Sequence, residues 1–220
     1  MKRFFAFILV ALLLLSFSAC NGNFQKESIE PTQNTNADSS VEEIYNDFLA
    51  GNTTAQYGDG SDINIDYLRK MATPHALTYT LFDRNGDSVP ELCINNELYI
   101  TTFWVQNGAL KLWREENSYS KILSNGNYLE THYGGAPNHA DYSYSVYSYT
   151  GKVECSVTVS VLIKNDIDVL EDIYTQNIYI YNGSAQEIPM PTEITKEQFD
   201  SVLKSIEKIG EAKMEWKPIA

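Results

Sequence analysis

The chain has 220 residues, with 16 Lys and Arg against 29 Asp and Glu, so its formal net charge is −13 at pH 7. An acidic chain without a basic patch is not expected to bind nucleic acid, and without a polybasic segment it is not expected to attach to a membrane by charge. Its length is enough for one domain with a sizeable hydrophobic core.

Residues 1–19 have the pattern of a bacterial signal peptide. Met1-Lys2-Arg3 is a short basic start, residues 4–15 are an unbroken apolar run, and residues 16–19 resemble a cleavage region. The apolar run is shorter than the roughly 20 residues that a helix needs to cross ~30 Å of hydrocarbon. The segment therefore predicts export rather than a permanent membrane span.

The sequence Ser18-Ala19-Cys20 resembles the lipobox of bacterial lipoproteins, although Phe17 stands where that motif usually has Leu, Val or Ile. The resemblance implies that the Cys20 thiol carries a diacylglyceryl thioether and that palmitate or a similar third acyl chain modifies the freed amine. Several acyl chains at ~0.8 kcal/mol per CH₂ would anchor the protein firmly. The expected location is the extracytoplasmic side of the cell membrane. A soluble secreted protein and an uncleaved anchor are the alternatives.

The next segment, residues 20–39, is predicted to be a flexible tether that begins at the lipidated cysteine. It is rich in Asn, Gln, Ser, Thr and Glu and has too few apolar residues to order itself. Residues 40–220 are predicted to form a single extracytoplasmic domain.

Three helices are predicted in this domain. Ser40 and Glu43 fit a capping box in front of an apolar stripe that ends before Gly51. Residues 65–72 fit a second, shorter helix. Thr195 and Gln198 fit another capping box, and the stripe that follows it ends at Gly210.

The intervening sequence has the alternation of β-strands. Asn-Gly pairs separate many of the runs, and this dipeptide is the strongest short-range hairpin signal. Consecutive hairpins indicate an antiparallel meander, so the predicted fold class is α+β, with a β-meander sheet and terminal helices. A β-sandwich or an open barrel with peripheral helices is the alternative. The predicted strands cover residues 77–82, 91–94, 98–105, 109–114, 119–123, 128–133, 142–149, 153–163 and 173–181.

The loop between the first two predicted strands carries a candidate calcium site. Oxygen-bearing side chains stand at alternate positions and then at the ninth, namely Asp83, Asn85, Asp87 and Glu91. Ca²⁺ takes six to eight oxygen ligands, and alternate residues of a curled loop can point at one centre. The alternative is an acidic hairpin that Asx-turns stabilise without an ion.

The same loop carries a family resemblance. Asp83 to Leu92 resembles the Asp-x-Asn/Asp-Gly-Asp-Gly-x-x-Asp/Glu loops of FG-GAP-type repeats. It is more similar to the Asp-x-Asn-Gly-Asp-Gly-x-Pro-Glu-Leu hairpin of uncharacterised lipoproteins from Gram-positive, clostridium-like bacteria, which implies no particular reaction. Ser88 stands where those loops have Gly, and Ile94 stands where an EF-hand has its bidentate Glu.

Other candidate residues also have plain structural roles as alternatives. His132, His139 and Asp141 flank a Gly-Gly-Ala-Pro turn, which favours surface residues over zinc or catalytic ligands. The acidic residues 59–66 favour helix capping over a second cation site. Residues 142–149 are rich in Tyr, as expected for packed strands or for a binding face. Cys93 and Cys155 fit either two buried thiols or a disulfide.

The predicted function is a binding module at the cell surface whose activity is unknown and whose ligand is a glycan, a peptide or a protein. No Gly-x-Ser-x-Gly, His-Glu-x-x-His or phosphate-loop motif is present, so the prediction leans away from an enzyme. An envelope hydrolase that uses unidentified carboxylates is one alternative, and an accessory subunit of a surface complex is another.

Overall fold

The fold is that of a computed structural model, which describes residues 40–72, 77–133, 139–162, 172–180 and 190–219. The predicted signal peptide, Cys20 and the predicted tether lie outside the described residues. The first described residue, Ser40, is the N-cap of the first helix.

Three helices lie in the described residues: α1 (Val41–Leu49), α2 (Ile65–Met71) and α3 (Lys196–Glu207). Both predicted capping boxes are present, because Ser40 and Thr195 accept from the backbone N–H three residues on and receive the reciprocal side-chain contact. The N-cap of α2 is Asn64, whose side chain accepts from the Tyr67 N–H at 2.8 Å. All three predicted helices are confirmed because their start signals are local.

The strands form two sheets. The seven-stranded sheet contains, in order of pairing, β13 (Lys217–Pro218), β3 (Thr78–Phe82), β4 (Glu91–Asn95), β5 (Tyr99–Gln106), β6 (Ala109–Asn117), β1 (Ala55–Gln56) and β2 (Asp62–Ile63). The six-stranded sheet contains β12 (Thr192–Ile194), β11 (Ile173–Ile180), β10 (Val153–Leu162), β9 (His139–Tyr147), β8 (Tyr128–Tyr133) and β7 (Lys121–Ile122). The described strand pairs are antiparallel except β1 with β6.

The α+β class is confirmed, with two sheets where a single meander sheet was expected. Strands β3 to β6 form one meander and β8 to β12 form another. β7 pairs with β8 and not with β6, so the first meander ends at that point, and the chain returns to the seven-stranded sheet at β13. Hairpin signals specify which consecutive strands pair, but they do not specify where one sheet stops.

Each sheet has its own hydrophobic core, and a third cluster joins the two sheets. Helices α1 and α2 pack on one face of the seven-stranded sheet, with Phe48 against Phe103 at the centre. Helix α3 packs on the six-stranded sheet through residues that include Phe199 and Val202. The third cluster joins residues of both sheets, and its buried members are Cys93, Ile100, Ile122, Tyr128 and Ala212.

Cys93 is a fully buried free thiol, so no disulfide joins it to Cys155. Burial raises the pKa of the Cys93 thiol to about 11, although the nearby Arg84 guanidinium lowers it. Among the described residues, none of the helices is both long enough and apolar enough to cross a bilayer.

Candidate functional site

The candidate cation site is the loop between β3 and β4. The two strands pair from Thr78 opposite Asn95 to Phe82 opposite Glu91, so residues 83–90 connect them. The loop is short, and its polar side chains bond to the loop itself and to the junction between the sheets.

Asp83 shapes the turn through backbone hydrogen bonds. Its carboxylate accepts from the N–H of Gly86 at 2.7 Å and from the N–H of Ser88 at 3.0 Å. Ser88 has a φ of 72°, in the left-handed region that is strained for a residue with a Cβ. Ser88, which stands where the loops that this segment resembles have Gly, therefore adopts the backbone conformation for which Gly is suited.

The amide of Asn85 lies between two carboxylates. Its Nδ2 donates to Glu91 Oε1 at 2.6 Å and to Asp87 Oδ2 at 3.3 Å, while its Oδ1 accepts from the Asp87 N–H at 2.9 Å. The amide donor thus offsets part of the repulsion between the two acids. A carboxamide carries a donor on one side and an acceptor on the other. A 180° rotation of the Asn85 amide would therefore turn its Oδ1 towards Asp87 and Glu91, where it could coordinate a cation.

Glu91 is the buried member of the loop, with 2% of its surface exposed. Burial, followed by the charges of Asp87 and Asp83, raises its pKa to about 7, and a hydrogen bond from the Arg84 backbone at 2.7 Å opposes that rise. A cation beside Glu91 would favour the ionised carboxylate. The loop therefore has the electrostatics of a site that gains from a positive ion.

Arg84 fixes the loop to both sheets. Its fully buried guanidinium forms a bidentate ion pair with Glu116 of β6, with a distance of 3.0 Å from Nη2 to Oε1, and donates to Thr102 Oγ1 at 3.2 Å. It also donates to the carbonyl oxygen of Gly126, between β7 and β8. Burial opposes the charge, but the Glu116 carboxylate raises the pKa of Arg84, so the guanidinium stays protonated.

Aromatic side chains complete the surroundings of the loop. The Arg84 guanidinium lies 5.0 Å from the ring centroid of Trp113 and 5.9 Å from that of Tyr147, which are cation–π distances. The Trp113 indole N–H donates to the carbonyl oxygen of Tyr149 at 2.9 Å. Tyr149 is 49% exposed, and burial, followed by the charge of Asp87, raises the pKa of its hydroxyl.

The structure brings Asn85, Asp87 and Glu91 together, whereas Asp83 bonds to backbone N–H groups. In the part of the chain that the structure describes, no group of three or more His, Cys, Asp or Glu side chains is arranged to hold a metal ion. Asn85, at the centre of this arrangement, is an amide and does not belong to those four residue types. Calcium binding therefore stays a prediction.

The histidine candidates contact separate carboxylates. His132 Nε2 lies 2.8 Å from Glu130 Oε1, and His139 Nε2 lies 3.1 Å from Asp141 Oδ1. His132 and Asp141 are opposite each other on β8 and β9. The structure thus gives each histidine its own carboxylate.

The second acidic cluster and the tyrosines have structural roles. Asp59 accepts from the backbone and hydroxyl of Ser61, and Asp66 pairs with Arg69 at 2.8 Å. Tyr142 and Tyr144 belong to the core beneath α3. Residues 142–147 therefore do not form the exposed aromatic face that their sequence allows.

Sequence reasoning missed Arg84 and Glu116. The two residues are 32 positions apart, and each stands among polar neighbours that suggest an exposed side chain. No local pattern marks an Arg in an acidic loop as buried, because its burial depends on strands from two sheets.

Two surface depressions also lie in the described part of the chain. One of about 340 Å³ lies beside the β5–β6 turn and is lined by residues that include Asp47 and Gln56. Another of about 350 Å³ lies between α1, β3 and residues 213–217. Both volumes are within the usual range for small-molecule sites.

Comparison of the chain with protein-family models gives no match, and comparisons with curated proteins and with solved structures give none either.

Proposed function

We propose that this protein is a lipid-anchored binding module on the extracytoplasmic side of the cell membrane. The observation that carries the proposal is the signal-like segment that ends in Ser18-Ala19-Cys20. The polar residues 20–39 then separate the anchor from the first helix, which is capped by Ser40. A tether of this composition would hold the folded part away from the bilayer.

Mass spectrometry of the membrane fraction tests the anchor. An N-terminal Cys20 that carries acyl chains is the expected result, and a Cys20→Ala variant should be released or left unprocessed. A Cys93→Ala variant, which changes a free cysteine, is the matched control and should stay anchored. A Cys20→Ala protein that is processed and anchored as before would contradict the proposal, as would a Cys20 thiol found in a disulfide instead of a thioether.

We also propose that the loop between β3 and β4 binds Ca²⁺ through Asp83, Asn85, Asp87 and Glu91. Support comes from the alternating ligand spacing and from the contacts of Asn85 with Asp87 and Glu91. The raised pKa of the buried Glu91 carboxyl adds a reason for a cation to be favoured there. Backbone carbonyls and water would supply the remaining ligands.

Thermal unfolding of the protein in millimolar Ca²⁺, in Mg²⁺ and in chelator tests this site. Binding to the folded state alone stabilises by RT ln(1 + [Ca²⁺]/Kd), or about 2.7 kcal/mol at a hundredfold excess over Kd. The stabilisation should disappear in Asp83→Ala/Asp87→Ala and persist in the control Asp59→Ala. Equal melting temperatures in all three solutions would reject the site, and a calcium effect that survives the double substitution would place the ion elsewhere.

A further inference from the structure

A trough crosses the surface between helix α1 and the C-terminal residues 213–217. Glu42 and Leu49 line it on the helix side, and Tyr79 and Leu81 of β3 form its floor. Leu81 is 44% exposed, so the floor presents apolar surface to solvent. The volume of about 350 Å³ suits a small ligand.

Exposure alternates along the C-terminal wall of the trough, which Met214 also lines. Met214 and Trp216 pack against the cluster between the sheets. The intervening Lys213, Glu215 and Lys217 are exposed, and all three line the trough. Since alternate residues of an extended chain share one side, this wall presents a positive, a negative and a positive charge in succession.

These charges are unpaired. Within the described ranges, Glu42, Lys213, Glu215 and Lys217 form no ion pair and no side-chain hydrogen bond. Elsewhere in the described residues, exposed lysines do pair with carboxylates, at 2.6 and 3.3 Å. The trough therefore holds two ammonium and two carboxylate groups that are available to a ligand.

We propose that the trough binds a zwitterionic peptide of about two residues, with a free amino group and a free carboxylate. This inference rests on the proposed binding function and names its ligand class. The ligand carboxylate would lie at one of the two lysines, Lys213 or Lys217. Its ammonium would lie at Glu215 between them or at Glu42 across the trough, and an apolar side chain would lie over the floor.

The spacing of the charges favours a dipeptide over a single amino acid. Alternate residues of an extended chain lie about 6.6 Å apart, and the amino and carboxyl groups of an extended dipeptide are separated by about two residue rises. The charges of a free amino acid are much closer together. Because the four side chains are exposed, each ion pair contributes weakly and binding should weaken with salt.

Titration of the detergent-purified full chain with leucyl-alanine, followed by NMR or calorimetry, tests the proposal. N-acetyl-leucyl-alanine lacks the ammonium, and leucyl-alanine amide lacks the carboxylate. Each should bind at least tenfold more weakly than leucyl-alanine.

Two double variants test which residues of the trough contact the carboxylate of the peptide and which contact its ammonium. Lys213→Gln/Lys217→Gln should weaken the binding of leucyl-alanine about tenfold. The residual binding of leucyl-alanine amide should stay unchanged, because that probe has no carboxylate for the lysines to contact. Glu42→Gln/Glu215→Gln should weaken leucyl-alanine and leave the N-acetyl probe unchanged. Lys204→Gln/Glu207→Gln on α3 is the matched control and should bind like the unaltered protein. Circular dichroism should show that every variant is folded.

Equal binding of the blocked and free peptides would overturn the proposal. So would the absence of leucyl-alanine binding at roughly 10 mM, a concentration above the millimolar Kd that about 4 kcal/mol of binding free energy gives. Neither result bears on lipidation of Cys20, which the membrane-fraction experiment tests separately.

Discussion

The backbone of Gly126 contacts the backbone of Arg84 so closely that a Cβ at position 126 would lie 2.0 Å from the Arg84 carbonyl oxygen. Gly126 also has a φ of 81°, which disfavours any other residue. Through this contact, the turn between β7 and β8 of one sheet lies against the β3–β4 loop of the other. The junction thus requires a residue without a side chain at this point.

Gly126→Ala should lower the free energy of unfolding by about 2–4 kcal/mol, because it combines the left-handed backbone cost with a steric overlap that moves the loop. Gly60→Ala is the matched control, since Gly60 has a φ of 85° but open space around it. That control should cost only about 1–2 kcal/mol. Urea denaturation of the two variants gives the comparison, and equal losses would show that the close contact does not constrain the fold.

Glu116→Gln should destabilise the protein by about 3–5 kcal/mol, because it leaves the buried Arg84 guanidinium without its counter-charge. Asp200→Asn removes an exposed ion pair with Lys196 and should cost less than about 1 kcal/mol. Chemical denaturation measures both. A loss at Glu116 as small as that at Asp200 would mean that water reaches the Arg84–Glu116 pair.

Glu91 should make the stability of the protein depend on pH. Its folded-state pKa of about 7 lies above the ordinary value of 4.5, so the folded state holds the proton more tightly than the unfolded chain does. The stabilisation from this group is complete below about pH 4.5 and is lost as the pH rises through about 7. A shift of this size corresponds to a change on the order of 3 kcal/mol.

The difference in unfolding free energy between the unaltered protein and Glu91→Gln, measured in chelator, isolates this effect. As the pH rises from 4.5 to about 7, the unaltered protein should lose stability relative to the Glu91→Gln variant. Glu115→Gln, in the exposed part of β6, is the control. A difference that is flat over this range would show that the Glu91 carboxyl ionises normally.

Ser88→Gly should stabilise the protein by about 0.5–1 kcal/mol, because Gly adopts a φ of 72° without the strain of a Cβ. The Asp83 carboxylate bonds to the backbone N–H of Ser88, so the substitution keeps that hydrogen bond. Ser201→Gly inside α3 should act in the opposite direction, since Gly is the poorer helix former. Thermal unfolding shows whether each substitution raises or lowers the stability. A loss of stability in Ser88→Gly would mean that the Ser88 side chain makes stabilising contacts of its own.

The helices and most hairpins could be predicted from sequence because their signals act over a few residues. Ser40 with Glu43 and Thr195 with Gln198 satisfy backbone groups at the helix starts in any context that permits a helix. The strand bounds also agree closely for β8, predicted and observed over residues 128–133. Short strands such as β1 and β13 were missed, since two residues carry no periodicity.

The residues of the β3–β4 loop were identified from their spacing, but their partners were not. Sequence alone determined the local elements, the acidic loop and the signal-like segment, because residues that are close in the sequence specify each of them. Only the tertiary structure decided the division into two sheets, the burial of Arg84 against Glu116 and the arrangement of the trough around Glu42 and Lys213. These depend on contacts between distant segments, whose entropic cost is repaid only when the whole fold forms.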